Sequence, residues 1–188
     1  TPLEKLDKKT SAFQIAFVPQ DPDTGIITDK VSRELAFNLE NMGMDPGLMN
    51  LRIAEICGYL GLSDKFSKST GALSGGEKQK IAIARALAQE PQVLLFDELT
   101  SNLDVKNQAD VLSFIKKLTV DKNVITVAIV HDLSLALRFA DDIAFMKDGK
   151  ILRQCPADCV TAQDFKDTFD VNADVVEING KKTIIYED

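Results

Sequence analysis

Two short apolar runs, each closed by polar side chains, constrain this chain more than anything else in it. Val93-Leu94-Leu95-Phe96 ends in Asp97-Glu98, and the run from Val124 to Val130 ends in His131, the only histidine. Each is the length of a strand and reads as buried. Between and after them, apolar residues recur at helical spacing: Val105, Ala109, Leu112, Ile115 and Leu118, then Leu133, Ala136, Leu137 and Ala140. Strands alternating with helices are the pattern of an α/β fold on a parallel sheet. In open sheets of this kind, ligands bind beyond the carboxyl ends of the strands. Asp97, Glu98 and His131 are therefore expected at the ligand-bearing edge.

The remaining segments fit around that sheet. Phe13 to Val18 reads as a further strand, closed by Pro19 and Gln20, and 21–29 is a loop by its Pro, Gly and Asp content. Val31, Leu35, Leu39 and Met42 predict a helix with Asp29 as its cap. A second helix carries Leu51, Ala54 and Leu60 on one side and ends near Gly58 to Gly61. Residues 30–72 thus form a small helical insert. Ile143 to Met146 reads as a third strand of the alternation, turning at Asp148-Gly149 into Ile151-Leu152. Near the end, two β-rich runs flank Asn179-Gly180 and predict a hairpin; the dipeptide suits a type I′ turn, while the four-residue spacing between the runs leaves the loop type open. The expected organisation is a core segment over 1–29, a helical region over 30–90, a second core segment over 91–152, and a C-terminal extension with a β-hairpin over 153–188.

Leu73-Ser74-Gly75-Gly76-Glu77-Lys78-Gln79 precedes an apolar stripe of Ile81, Ala84, Leu87 and Ala88. Ser74 and Glu77 have the spacing of a capping box. A helix starting there presents unpaired N–H groups and a positive dipole end, which suits an anion, phosphate above all. Gly75 and Gly76 let a bound group come close to the backbone. Alone, the run is better read as a plain helix cap after a turn. Its place before the two strand-end motifs gives it functional weight.

Composition removes several alternatives. A net charge of −7 and a pI near 4.8 argue against a nucleic-acid surface. With 188 residues, 45% apolar and 27% charged, the chain suits a single soluble domain with a real core. Cys57, Cys155 and Cys159 form no disulfide framework, and one histidine leaves Cys155 and Cys159 short of a zinc set. No apolar stretch has membrane-spanning length. The chain starts at Thr1 rather than Met, as expected of a processed piece or fragment.

The strand-end residues divide a recognisable chemistry. Asp97 suits Mg²⁺, which prefers oxygen ligands and keeps part of its water shell. Glu98 beside it can polarise or deprotonate an attacking water. A neutral imidazole at His131 can hydrogen-bond a phosphate or steady the base. Gln20 offers a neutral oxygen ligand at the end of an earlier strand.

Together these motifs resemble the nucleotide-binding subunit of an ATP-binding cassette (ABC) transporter. Leu73–Gln79 is similar to the family signature, Val93–Glu98 to the Walker B strand, Ser101–Asp104 to the D-loop, His131 to the switch histidine, and Val18-Pro19-Gln20 to the Q-loop. Leu99 stands where the family usually has proline. The resemblance implies a P-loop NTPase fold using ATP and Mg²⁺. It implies catalytic roles for Glu98 and His131, nucleotide contacts from Gln20, Ser74, Gly75, Gly76 and Asp104, and metal contacts from Gln20 and Asp97. It also implies a head-to-tail pairing with a second ATPase subunit, an integral membrane partner, and a peripheral place on the cytoplasmic face of the membrane.

One family element has no counterpart: no G-x-x-x-x-G-K-[ST] phosphate loop occurs in these 188 residues. Only 19 residues precede Gln20, and in the family that loop lies further upstream. The expectation is that this chain alone neither binds ATP tightly nor hydrolyses it, and that apolar sheet surface is left exposed. The 53 positions between Gln20 and Leu73 favour a transporter over relatives with inserted coiled coils. Asp21–Gly43 resembles energy-coupling-factor importers of vitamins, cobalt or nickel. Leu103–Gln108 and the tail from Asp170 resemble importers of iron complexes, haem or cobalamin. The rival reading is a non-catalytic partner that lends its signature helix to a complete ABC ATPase.

Overall fold

A computed structural model describes residues 14–98 and 103–186. The chain divides into two compact units, 1–129 and 130–188. Leu99 to Asn102, including Ser101 and Asn102 of the expected D-loop, lie outside the described residues.

The first unit is built on a parallel sheet of β1 (Ile15–Val18), β2 (Val93–Phe96) and β3 (Ile125–Ala128), in that order. Val18 pairs with Phe96, and Phe96 with Ala128, so the three carboxyl ends are level. Ala16, Val18, Leu94 and Phe96 turn to one face and are buried. Helix α3 (Gly75–Ala88) supplies the matching apolar surface through Ile81, Ala82, Ile83, Ala84 and Leu87. The other face carries Phe17, Ile125 and Val127, all more than half exposed. The expected exposure of apolar sheet surface is therefore visible, and β3 is shorter and less buried than its sequence suggests.

The helical insert is α1 (Val31–Asn41) and α2 (Pro46–Leu60), followed by 3₁₀ turns at Ser63–Lys65 and Thr70–Ala72. Asp29 does not cap α1. Lys30 holds the N-cap position without a side-chain bond, and the Asp29 carboxylate instead meets Arg33 at 3.3 Å. Helix α2 is capped by Asp45, which accepts from the Leu48 N–H at 3.0 Å. Its buried side is Ile53, Cys57 and Leu60, whereas Leu51 is exposed. Helix α4 (Val105–Lys122) buries Val111, Leu112 and Ile115 and leaves Val105 in solvent.

The second unit contains α5 (Leu133–Phe139), β4 (Asp142–Lys147), β5 (Lys150–Pro156), α6 (Ala162–Phe169), β6 (Ala173–Ile178) and β7 (Lys181–Tyr186). The strand from Ile143 does not extend the parallel sheet: β4 pairs only with β5, antiparallel. Both hairpins close through two residues with positive φ, Asp148-Gly149 at 50° and 73° and Asn179-Gly180 at 54° and 74°. That is the type I′ signature, and its twist matches the flanking strands. The core gathers Leu137, Phe145, Cys155, Val160, Phe165, Ala173 and Ile184, with Phe145 and Phe165 edge to face at 5.7 Å. Buried Asp164 receives both oxygens' bonds from Arg153, at 2.6 and 2.8 Å, and caps α6 through Thr161. Burial would raise its pKa. The Thr161 N–H and hydroxyl and the Arg153 charge outweigh that and hold it below the usual carboxylate range.

Candidate functional site

The level strand ends bring three of the predicted site residues together. The Asp97 N–H donates to the Val18 carbonyl at 3.0 Å, carrying the β1–β2 ladder one step past the strands. The next residue, Glu98, has a φ of 49°, and this left-handed bend turns the chain out of the sheet plane. Gln20 leaves β1 at the same level, and its Nε2 donates to the Glu98 Oε2. Asp97 and Glu98 are half-buried and Gln20 is exposed. A carboxylate held by a neutral amide, beside a second carboxylate, makes a hard-oxygen set that fits Mg²⁺ and a water. Among the described residues no group of three His, Cys, Asp or Glu side chains forms a ready-made metal cage. A magnesium bound here would rest on one or two of these oxygens, with the remaining ligands coming from phosphate and water.

The signature run forms the start of α3 as its spacing predicts. The Ser74 hydroxyl accepts from the Glu77 N–H at 3.3 Å, and Glu77 Oε2 accepts from the Ser74 N–H at 2.8 Å and from its hydroxyl at 3.1 Å. A β-carbon built on Gly75 would meet nothing within 4 Å, so the helix start is open to a ligand. Lys65 sits 2.9 Å from Glu77 Oε1. That ammonium first, and the Ser74 N–H second, pull the Glu77 pKa down to about 2.

Asp104 caps α4, accepting from the Asn107 N–H and side-chain amide, each at 2.8 Å. These bonds, with a smaller contribution from the Lys80 charge on α3, lower its pKa. His131 belongs to the second unit, where it is exposed and directly precedes Asp132, the cap of α5. All three cysteines are free thiols, Cys57 and Cys155 buried and Cys159 exposed.

A second set of residues ties the Gln20 loop to the signature helix. Lys78 of α3 binds Asp23 at 2.5 Å, in the helical turn Pro22–Gly25 that follows Gln20. Arg85 of α3 donates to the Gly25 carbonyl and to Glu34, which is completely buried. The other Glu34 oxygen accepts from the N–H groups of Ile27 and Thr28 and from the Thr28 hydroxyl, at 2.8–3.0 Å. Thr70, just before the signature, donates its hydroxyl to the Thr28 carbonyl at 2.7 Å. The one available signal was opposite charge on the apolar sides of two helices: Glu34 lies three residues from Val31, and Arg85 sits amid the Ala-rich stripe.

A parallel sheet with an acidic strand-end pair, a neutral amide against it and an open, serine-capped helix start is the arrangement that the ATP-binding-cassette resemblance calls for. The ABC transporter family profile matches residues 2–101, more than half of the chain. An ABC transporter ATP-binding protein of Methanocaldococcus jannaschii is 32% identical over 97% of this chain and 72% of its own length. The energy-coupling factor transporter ATP-binding protein EcfA1 of Lactobacillus acidophilus is 37% identical over 75% of this chain and 50% of its own length. Among solved structures, a dimeric ATP-binding cassette in a post-hydrolysis state with ADP and Pi superposes with a TM-score of 0.72 at 28% identity, over 81% of this chain and 68% of that one. The chain belongs to the ABC transporter ATP-binding family. It spans only part of the length of these relatives. Among the described residues no helix is long and apolar enough to cross a membrane.

Proposed function

We propose that this chain is part of the ATP-hydrolysing subunit of an ABC importer, coupling ATP turnover to uptake of a small nutrient such as a vitamin, a metal ion, or an iron or cobalamin complex. The Gln20–Glu98 contact at the ends of adjacent parallel strands carries this reading. Glu98 takes up or orients the proton of the attacking water, and Gln20 holds its carboxylate in place. Asp97 and Gln20 are the residues to hold Mg²⁺, which when bound neutralises phosphate charge. Ser74, Gly75 and Gly76 face the phosphate of a nucleotide carried by a second ATPase subunit, with Asp104 near the same junction. His131 contributes a hydrogen bond to the reacting end of the nucleotide. The likeness to an energy-coupling factor protein supports an importer with an integral membrane partner, and a peripheral place on the cytoplasmic face. The dimeric cassette relative supports the paired arrangement. The functional segments follow as a core over 1–29 and 91–152, a helical region over 30–90 and an extension over 153–188.

Because the 188 residues contain no G-x-x-x-x-G-K-[ST] loop, we infer that this chain alone has no tight ATP site. A titration with Mg-ATP is expected to show no micromolar binding, and micromolar affinity would overturn that inference. In the assembled transporter, Glu98→Gln is expected to lower ATP turnover by roughly 10²- to 10⁴-fold, the usual contribution of a general base. Retained turnover in Glu98→Gln, together with loss in a Ser74 variant, would sink the catalytic reading. It would favour the second one, in which the chain lends only its signature helix to a complete subunit.

A further inference from the structure

The start of α3 contains a conflict that the family reading leaves open. A phosphate-facing helix start should be positive, yet Glu77 places a carboxylate one turn in, hydrogen-bonded to both the N–H and the hydroxyl of Ser74. The serine hydroxyl has one proton and gives it to Glu77. A phosphate arriving at Ser74 and Gly75 therefore meets a fixed negative charge, and the hydroxyl must turn away from Glu77 to reach it.

Lys65 answers that conflict. It lies in the 3₁₀ turn Ser63–Lys65 that follows α2, ten residues before α3 begins. Its backbone is fixed on both sides: its N–H donates to the Leu62 carbonyl at 2.9 Å, and its carbonyl accepts from Lys68 at 2.8 Å. Its ammonium reaches Glu77 Oε1, the oxygen that Ser74 does not use, at 2.9 Å. The Lys65 side chain is 22% exposed and that of Glu77 29%, so water screens the pair only in part. Asp64, the other carboxylate near Lys65, is 3.2 Å away and 69% exposed.

We propose that Lys65 is a positioning residue of the signature face: it cancels the Glu77 charge and holds that carboxylate, freeing Ser74 and the helix start to take a phosphate group. This rests on the reading of Ser74, Gly75 and Gly76 as phosphate-facing. Lys65 does not touch the phosphate itself. It acts through Glu77, so its effect vanishes when Glu77 carries no charge.

That dependence supplies the test. The full chain, labelled with ¹⁵N, is titrated with inorganic tripolyphosphate at constant ionic strength while the Gly75 and Gly76 amides are followed by NMR. Lys65→Gln is expected to weaken binding about threefold to fivefold, the range of a partly screened charge pair. Lys65→Arg is expected to retain it. Glu77→Gln keeps the capping geometry without the charge. In that background, adding Lys65→Gln is expected to change affinity by less than about twofold. Unchanged affinity in Lys65→Gln, or an equal loss in both backgrounds, overturns the role of Lys65 while leaving the phosphate-facing reading intact. No movement of Gly75 or Gly76 in the unsubstituted chain overturns the phosphate-facing reading, and the Lys65 role with it. Thermal unfolding of each variant separates a folding defect from a binding one.

Discussion

Glu34 is the most committed residue in the first unit. It is fully buried, and its two oxygens meet the Arg85 guanidinium, two backbone N–H groups and a hydroxyl. A buried charge is tolerated only when paired and hydrogen-bonded, and here every lone-pair direction in use has a donor. Removing one member leaves the other charge unpaired in the interior. Glu34→Ala is therefore expected to cost about 3–5 kcal/mol in urea denaturation, and Arg85→Met a comparable amount. Ser74→Ala removes one cap bond and is expected to cost about 1 kcal/mol. Glu77 gives a pH signature. Its folded pKa of about 2 lies below the ordinary glutamate value of about 4.3. Its stabilising effect is thus fully present above the ordinary value and fades as pH falls toward the folded one. The stability gap between the unsubstituted chain and Glu77→Gln, followed by denaturant titration from about pH 5 to about pH 2, should shrink on acidification. A gap that widened would contradict the Lys65–Glu77 pairing.

At the scale of elements, what could be read in advance depended on how local its cause was. The capping box at Ser74, the turn at Asp148-Gly149 and the hairpin at Asn179-Gly180 are set by a few adjacent residues, and all three form where they were read. The Asn179-Gly180 turn places Gly180 at a φ of 74°, where a side chain is strained. Gly180→Ala should destabilise the second unit by about 1–2 kcal/mol in thermal unfolding. The face of α2 was not legible. Leu48, Leu51, Ile53, Ile56, Cys57, Tyr59 and Leu60 distribute apolar surface around the whole helix, so periodicity chose Leu51 where packing chose Ile53 and Cys57. The Asp29 cap failed for a tertiary reason. Its carbonyl accepts from the Thr70 N–H, and this fixes it one residue too early to reach the first turn of α1. The strand at Ile143 looked like a continuation of the alternation, but Asp148-Gly149 folds it back onto β5. Of the candidate site, the strand-end residues were visible because their order is local. Glu34 and Arg85 are 51 positions apart, and Lys65 and Glu77, though only twelve apart, sit on separate elements joined by a turn with no periodicity, so only the fold brings each pair together.

For the whole molecule, the unbalanced sheet matters most. Parallel sheets normally bury both faces, because crossover helices cover each side. Here α3 covers the face of Val18, Leu94 and Phe96, while Phe17, Ile125 and Val127 on the opposite face are 57%, 64% and 54% exposed. Phe17, Leu95 and Val127 are in register across the three strands, which makes the apolar surface continuous. A continuous exposed apolar surface favours association. The net charge of −7 opposes it at neutral pH and disappears near the pI of about 4.8. Two such faces can cover one another, so the chain should pair with a second copy. Sedimentation velocity at neutral pH should show the average mass rising with concentration, more steeply as pH approaches the pI. Val127→Lys places a charge on the exposed face, at the β3 edge, without touching the buried side, and it should return the chain to a monomer with its unfolding midpoint little changed. Chains that stay monomeric without the substitution, up to the concentrations used for structural work, would show that this face does not drive pairing.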